Sequence, residues 1–219
     1  PVICECNDAS LNDIRHRAVG QPEVFSAIEH ACTDFQQGDV GAGKGMTCHD
    51  LKGGIGSSSR VIKIGDQTYT LGVLVLTNHG SLTDLTIGGA NIGMDIERQI
   101  REDTPDEGSC IMIIATDLPV TSRQLGRIIR RCSVGLARLG SFTGHGSGEV
   151  MIGFSTANRI PADGQCLNLK CIHESQIDIA FRAAAEATEE AVIQSMLHAK
   201  TVVGYSGKIR RSLTDFWQP

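Results

Sequence analysis

The run "SCIMIIATD" (Ser109 to Asp117) constrains this chain most, because Cys110 to Ala115 are apolar without interruption and therefore belong to a buried strand. It follows directly on an acidic, Pro-containing loop, "REDTPDEG", through the junction Gly108-Ser109. A hydroxyl thus opens a buried strand, immediately after the one residue type without a side chain. That pairing needs a physical reason.

The neighbouring segments supply the rest of the architecture. "SRVIKIGDQTYTLGVLVLTNHG" predicts two strands joined at Gly65-Asp66, a hairpin signal. "GEVMIGFST" predicts another strand. "PEVFSAIEHACTDF" (Pro22 to Phe35) has helical spacing with Pro at its start. "TSRQLGRIIRRCSVGLARLG" predicts one long helix capped by Thr121 or Ser122 and stopped at Gly140. "SQIDIAFRAAAEATEEAVIQSMLHAK" predicts a long Ala-rich helix with Glu and Lys outside, and the tail from Gly204 is irregular. Long helices packing on sheets, with a hairpin among the strands, point to a layered α/β sandwich with antiparallel or mixed pairing. No linker or repeat divides the chain, so residues 1–219 are expected to form one domain. The loop at 101–108 is the best place for a break, chemical rather than architectural.

Composition excludes several function classes. A net charge of -5 and the absence of basic–aromatic clusters argue against nucleic acid as partner. Arg127, Arg130, Arg131 and Arg138 fit the solvated face of an amphipathic helix. No apolar run approaches the ~18 residues that cross a bilayer, so no membrane role is expected. The eight cysteines include Cys4-x-Cys6 but no paired C-x-x-C, so no structural zinc site is expected, and buried reduced thiols point to the cytoplasm. The N-terminus carries no signal-peptide layout, and starting without Met it is expected to be a trimmed start.

Four motifs could carry chemistry. "GDVGAGKG" (Gly38 to Gly45) approaches a phosphate-binding loop, but Gly45 replaces the metal-holding Ser or Thr and no good helix follows. A glycine loop with positive-φ positions is the better account. In "HGSGE", Ser147 and Glu149 are two apart and share a face if the strand starts there, so that a carboxylate polarises a hydroxyl; the alternative, which this motif alone favours, is an Asx/ST-type turn with a surface Glu. His145 is expected to be exposed and silent. Asn78 ends an apolar strand, where its amide either donates to an oxyanion or turns the chain. At Gly108-Ser109, a hydroxyl that attacks the preceding carbonyl would cut the chain and free an α-amine beside itself, of pKa ~7.7–8.0; the commoner case for a Gly-Ser pair is a strand that merely opens with Ser. Cys110 would face the other side of the strand.

Taken together, "LNDI", "GAGKGMTCHDLKGGIGSSSRV", "LGVLVLTNHG", "GSCIMIIATDLPV", "RRCSVGLARLG" and "HGSGEVMIGFSTAN", in this order and spacing, resemble the DmpA-like aminopeptidases, which include β-peptidyl aminopeptidases and L-aminopeptidase/D-esterases. The resemblance covers nearly the whole chain. It implies a four-layer αββα sandwich and self-cleavage at Gly108-Ser109, giving an α-fragment portion 1–108 and a β-fragment 109–219. It places the nucleophile on Ser109, its serine and glutamate partners on Ser147 and Glu149, and the oxyanion-hole asparagine on Asn78. No cofactor and no metal are implied. The implied substrates are small peptides and aminoacyl amides or esters that lose their N-terminal residue, and the implied assembly is a homo-oligomer of αβ units.

Three departures accompany the resemblance. The family carries a substantial stretch ahead of Pro1, so the N-terminal part is expected to be missing. Asn7 stands where the family often has an aromatic, so part of the pocket differs. Lys44 lies in a glycine segment that the family usually closes with a small polar residue. The alternatives are an ornithine acetyltransferase-like acyltransferase, which normally uses Thr where this chain has Ser109, and a non-catalytic oligomeric homologue.

Overall fold

The computed structural model describes residues 2–100, 108–164 and 166–219. Its centre is a four-stranded mixed sheet of β1 (Ile55–Ile64), β2 (Gln67–Asn78), β3 (Gly108–Thr116) and β4 (Ser147–Ser155), in that spatial order. β1 and β2 form the hairpin predicted at Gly65-Asp66, and β3 pairs antiparallel to β2. β4 lies parallel to β3, which requires a crossover, and residues 117–146 provide it. The mixed pairing expected from the sequence is therefore present. Of the loop expected at 101–108, residues 101–107 lie outside the described residues, and Gly108 already belongs to β3.

Among the described residues, five α-helices accompany this sheet: α1 (Gln21–Glu29), α2 (Gly93–Ile100), α3 (Ser122–Ile129), α4 (Cys132–Arg138) and α5 (Ile177–Leu197). Alternation splits each strand between two faces. Leu71, Val73 and Val75 of β2, with Cys110, Met112 and Ile114 of β3, enter the main core beneath α5 and α4. The alanines of α5 let its backbone come close: a Cβ on Gly56 of β1 would stand 1.9 Å from the Ala191 carbonyl oxygen. Glycine at position 56 is thus what seats the long helix on the sheet.

The opposite face is also apolar but lightly covered. Leu76 and Ile111 pack with Cys6 and Met46, whereas Phe154 of β4 is 53% exposed. The layered α/β sandwich is borne out. Of its four expected layers, the described residues build one four-stranded sheet and a helical layer, formed by α3, α4 and α5, on one of its faces.

Some elements differ from the sequence reading. The predicted long helix over residues 121–140 is two helices, because the chain tightens at Arg130 and Arg131, where Arg131 N bonds the Ile128 carbonyl. Its start is as expected: Thr121 caps α3, with Gln124 completing a capping box. Nor is the arginine face merely solvated. Arg131 lies 4.1 Å over the Phe181 ring, Arg127 pairs with Glu174, and Arg138 pairs with Glu189 at 3.0 Å. α1 stops at Glu29 rather than continuing to Phe35, and none of its residues is buried. The glycine segment contains a short 3-10 turn, Gly41–Gly45, then a small antiparallel hairpin of Thr47–Cys48 and Leu51–Lys52. Strand rather than helix follows Gly45, so the phosphate-loop geometry is absent there.

Candidate active site around Ser109

β3 begins with Gly108 and Ser109, and its two neighbours end or begin at the same level. In the antiparallel register Asn78, the last residue of β2, is the partner of Ser109. In the parallel register Gly148 of β4 is the partner of Ser109 on the other side. A Cβ on Gly148 would be 3.8 Å from the Ser109 Cβ, so Gly148 leaves open space beside the hydroxyl-bearing carbon. The strand order therefore gathers three separate segments at one end of the sheet.

Gly108 is required by packing rather than by unusual dihedrals. A Cβ there would fall 2.0 Å from the Asn78 carbonyl oxygen. The close approach lets β3 pair with β2 up to its first residue.

The Asn78 amide is held at both ends. Its Oδ1 accepts from Thr47 N at 3.0 Å and from Thr47 Oγ1 at 3.3 Å. The backbone donor fixes which end of the amide is oxygen. Its Nδ2 donates to the Asn7 carbonyl at 2.9 Å, and since a primary amide has two N–H groups, one donor remains for another acceptor. Asn7 reaches the site through its backbone; its own side chain accepts from Ala9 N and is exposed. Thr47 carries no motif, and only the fold reveals it.

Ser147 and Glu149 are joined as expected, with Ser147 Oγ donating to Glu149 Oε1 at 2.6 Å. They are not joined to Ser109. Their register partners are Gly108 and Cys110, so the pleat puts them on the face opposite the Ser109 side chain. No hydrogen bond links Ser109 Oγ to either of them among the described residues. The pair lies one strand spacing away, about 4.8 Å.

The remaining groups near Ser109 are poor nucleophiles. Cys110 is fully buried, and burial pushes its thiol well above the ordinary value. Cys6 points its thiol at the Ser109 carbonyl oxygen, 3.7 Å away, and burial raises its pKa too. His145 is exposed, as expected. Lys52 is fully buried and donates to the carbonyls of Gly43, Met46 and Gly53 at 2.7–2.8 Å. Burial brings its pKa down to about 8, with Asp39 opposing, so it remains an ammonium at neutral pH. By gathering those carbonyls it shapes the turn that presents Thr47 to Asn78.

A layered α/β sandwich with a serine opening an interior strand has the architecture of the N-terminal-nucleophile-like hydrolase folds. The chain belongs to peptidase family S58, which it matches over residues 1–210. It is 38% identical over 220 residues to the beta-peptidyl aminopeptidase BapA of Sphingosinicella xenopeptidilytica, covering 93% of this chain and 55% of that protein. The crystal structure of the PH0078 protein from Pyrococcus horikoshii OT3 superposes with a TM-score of 0.89 at 47% identity, over 95% of this chain and 58% of the other. The L-aminopeptidase D-Ala-esterase/amidase from Ochrobactrum anthropi, a prototype of the serine aminopeptidases, does so with a TM-score of 0.86 at 33% identity, over 94% and 58%. The chain thus spans little more than half the length of these relatives.

Proposed function

We propose that this chain is an aminopeptidase-type amide and ester hydrolase, cut between Gly108 and Ser109 into residues 1–108 and 109–219. Ser109 Oγ attacks the Gly108 carbonyl carbon, the amide nitrogen leaves as the new α-amine, and water hydrolyses the resulting ester to leave a Gly108 carboxylate. The freed α-amine then serves as the base for the same hydroxyl near neutral pH. In turnover, Ser109 attacks the carbonyl after the substrate's N-terminal residue, and Asn78 donates to the oxyanion. The amine product leaves, and water releases the acyl group from Ser109.

The cut also explains how Ser147 and Glu149 take part. With the bond to Gly108 broken, Ser109 is a chain end, free to turn about its own backbone towards the adjacent strand. Glu149, polarised against Ser147, then meets the new ammonium or that of the substrate, a charge-assisted contact. The observation that carries this reading is the Asn78–Ser109 pairing, which sets an anchored amide donor beside the proposed nucleophile. The family relatives named as aminopeptidases favour it over the acyltransferase alternative.

Peptides, aminoacyl amides and aminoacyl esters are the substrate class we infer, with an oligomer of αβ units as the working assembly. A reducing, cytoplasmic setting is supported by the cysteines, all eight of which are unpaired. Among the described residues no helix is long and apolar enough to cross a membrane. Intact mass spectrometry of the full-length protein tests the first step. Two fragments meeting at 108–109 are expected, and a single uncut species would sink the self-processing claim. Ser109→Ala should abolish both cutting and hydrolysis of aminoacyl p-nitroanilides; retained activity would identify another nucleophile.

A further inference from the structure

The small hairpin beside Asn78 turns through His49 and Asp50, both with positive φ, at 48° and 58°. Few residues with a Cβ adopt that corner. It brings His49 against the end of β2, where Cys48 and His79 are already bridged in parallel register. His49 N donates to the His79 carbonyl at 2.8 Å, and the two rings meet edge to face with centroids 5.6 Å apart. Cys48, His49 and His79 are all buried, and one ligand-type atom from each lies within 4.8 Å of the others.

Two features of the rings go beyond packing. His49 Nδ1 faces the Ser81 carbonyl at 2.9 Å, so Nδ1 carries the hydrogen and Nε2 holds the lone pair. A backbone carbonyl fixing one ring nitrogen in this way is the usual outer support of a metal-ligating histidine. His79 is 2% exposed, yet neither of its ring nitrogens has a hydrogen-bond partner among the described residues. Burying an imidazole with neither nitrogen partnered is unfavourable, and an ion that took up its lone pair would relieve part of that cost.

We propose that Cys48, His49 and His79 form a binding site for a borderline-soft divalent transition metal, zinc first among them. Thiolate and imidazole donors suit zinc, whereas calcium and magnesium require oxygen donors. Ligand atoms around a tetrahedral zinc stand about 3.3–3.6 Å apart, so side-chain rotation has to close the trio by about 1 Å. The expectation of no structural zinc rests on the lack of a paired C-x-x-C. A Cys-His dipeptide with a distant His does not have that signature. Cys48 follows Thr47 and His79 follows Asn78, so the ion would tie together the two segments whose hydrogen bonds hold the Asn78 amide. Its role is to brace that contact, and it takes no step in hydrolysis. The site stands independently of the proposed function.

The test uses tag-free full-length protein, dialysed against chelator and titrated with Co2+ and then Zn2+. About one equivalent of Co2+ should bind, with a thiolate-to-cobalt charge-transfer band and the visible bands of a tetrahedral ion, and Zn2+ should displace it. Zn2+ should also raise the melting temperature by mass action. Cys48→Ser should lose the charge-transfer band, and His79→Phe should weaken Co2+ binding by about 10–100-fold. Trace binding by the wild type, or a band that survives in Cys48→Ser, would overturn the proposal. The wild-type titration decides the matter even if a variant does not fold.

Discussion

Asn78 closes β2 directly opposite Ser109, and Thr47 at 3.0 Å and the Asn7 carbonyl at 2.9 Å hold its amide from either end. An amide so fixed can donate to a developing charge without reorganising. Asn78→Ala is therefore expected to lower kcat about 10²–10³-fold with little change in KM. Steady-state hydrolysis of an aminoacyl p-nitroanilide measures it, with a thermal melt to confirm folding. A loss smaller than about threefold would remove Asn78 from the oxyanion role.

Gly108→Ala tests the close approach at the junction. The added methyl would sit 2.0 Å from the Asn78 carbonyl oxygen and 3.0 Å from its carbon, both in backbone that β3 pairing holds still. We expect a loss of about 1–3 kcal/mol in the stability of the uncut chain. The proposed cut at 108–109 should slow, because the strand start is displaced. A time course of intact mass after synthesis, beside denaturant unfolding, reports both. An unchanged rate and midpoint would show that the start of β3 can shift freely.

Glu149→Gln keeps the shape of the side chain and an oxygen for the Ser147 hydroxyl, which now stands 2.6 Å away, but removes the charge. If Glu149 meets an ammonium, kcat/KM should fall roughly 10–100-fold for substrates with a free N-terminal amine. Analogues without that amine should be affected less. Equal losses on both substrate types would indicate that Glu149 acts only on Ser109.

How much of this was legible in the sequence depends on the range of the interaction. The hairpin at Gly65-Asp66, the strand from Gly108 and the Ser147–Glu149 pair follow from turn chemistry and alternation, which act over a few residues. The break between α3 and α4 was not legible, since periodicity continues through Arg130 and Arg131 while packing of Arg131 on Phe181 decides the direction. Alternation within β4 correctly paired Ser147 with Glu149. Only the register against β3 revealed that the pair faces away from Ser109. Thr47 meets Asn78, and His79 meets Cys48 and His49, through contacts between distant segments, which no local pattern encodes.

Lys52 gives a stability prediction. Its ammonium spends all three hydrogens on the buried carbonyls of Gly43, Met46 and Gly53. Lys52→Met retains the apolar stem and leaves those acceptors unsatisfied, at an expected cost of roughly 3–5 kcal/mol. Chemical denaturation measures it. A loss below about 1 kcal/mol would mean that water replaces the ammonium without difficulty.

Glu190 gives a prediction for pH. It ties α5 to β1, accepting from Ser58 Oγ and pairing with Arg60, each at 2.6 Å. The Ser58 hydrogen bond first, and Arg60 with it, hold its carboxyl below the ordinary value of 4.5. A depressed folded-state pKa means that the unfolded chain binds the proton more readily. The contribution is therefore complete above the unfolded value and is lost as pH falls through the folded one. The side chain is 44% exposed, so screening leaves only a few tenths of a kcal/mol. Wild type and Glu190→Gln should accordingly differ most in melting temperature near neutral pH and converge in acid, with salt narrowing the gap. A difference that stays constant from neutral pH down to about pH 3 would show that the charge on Glu190 contributes nothing.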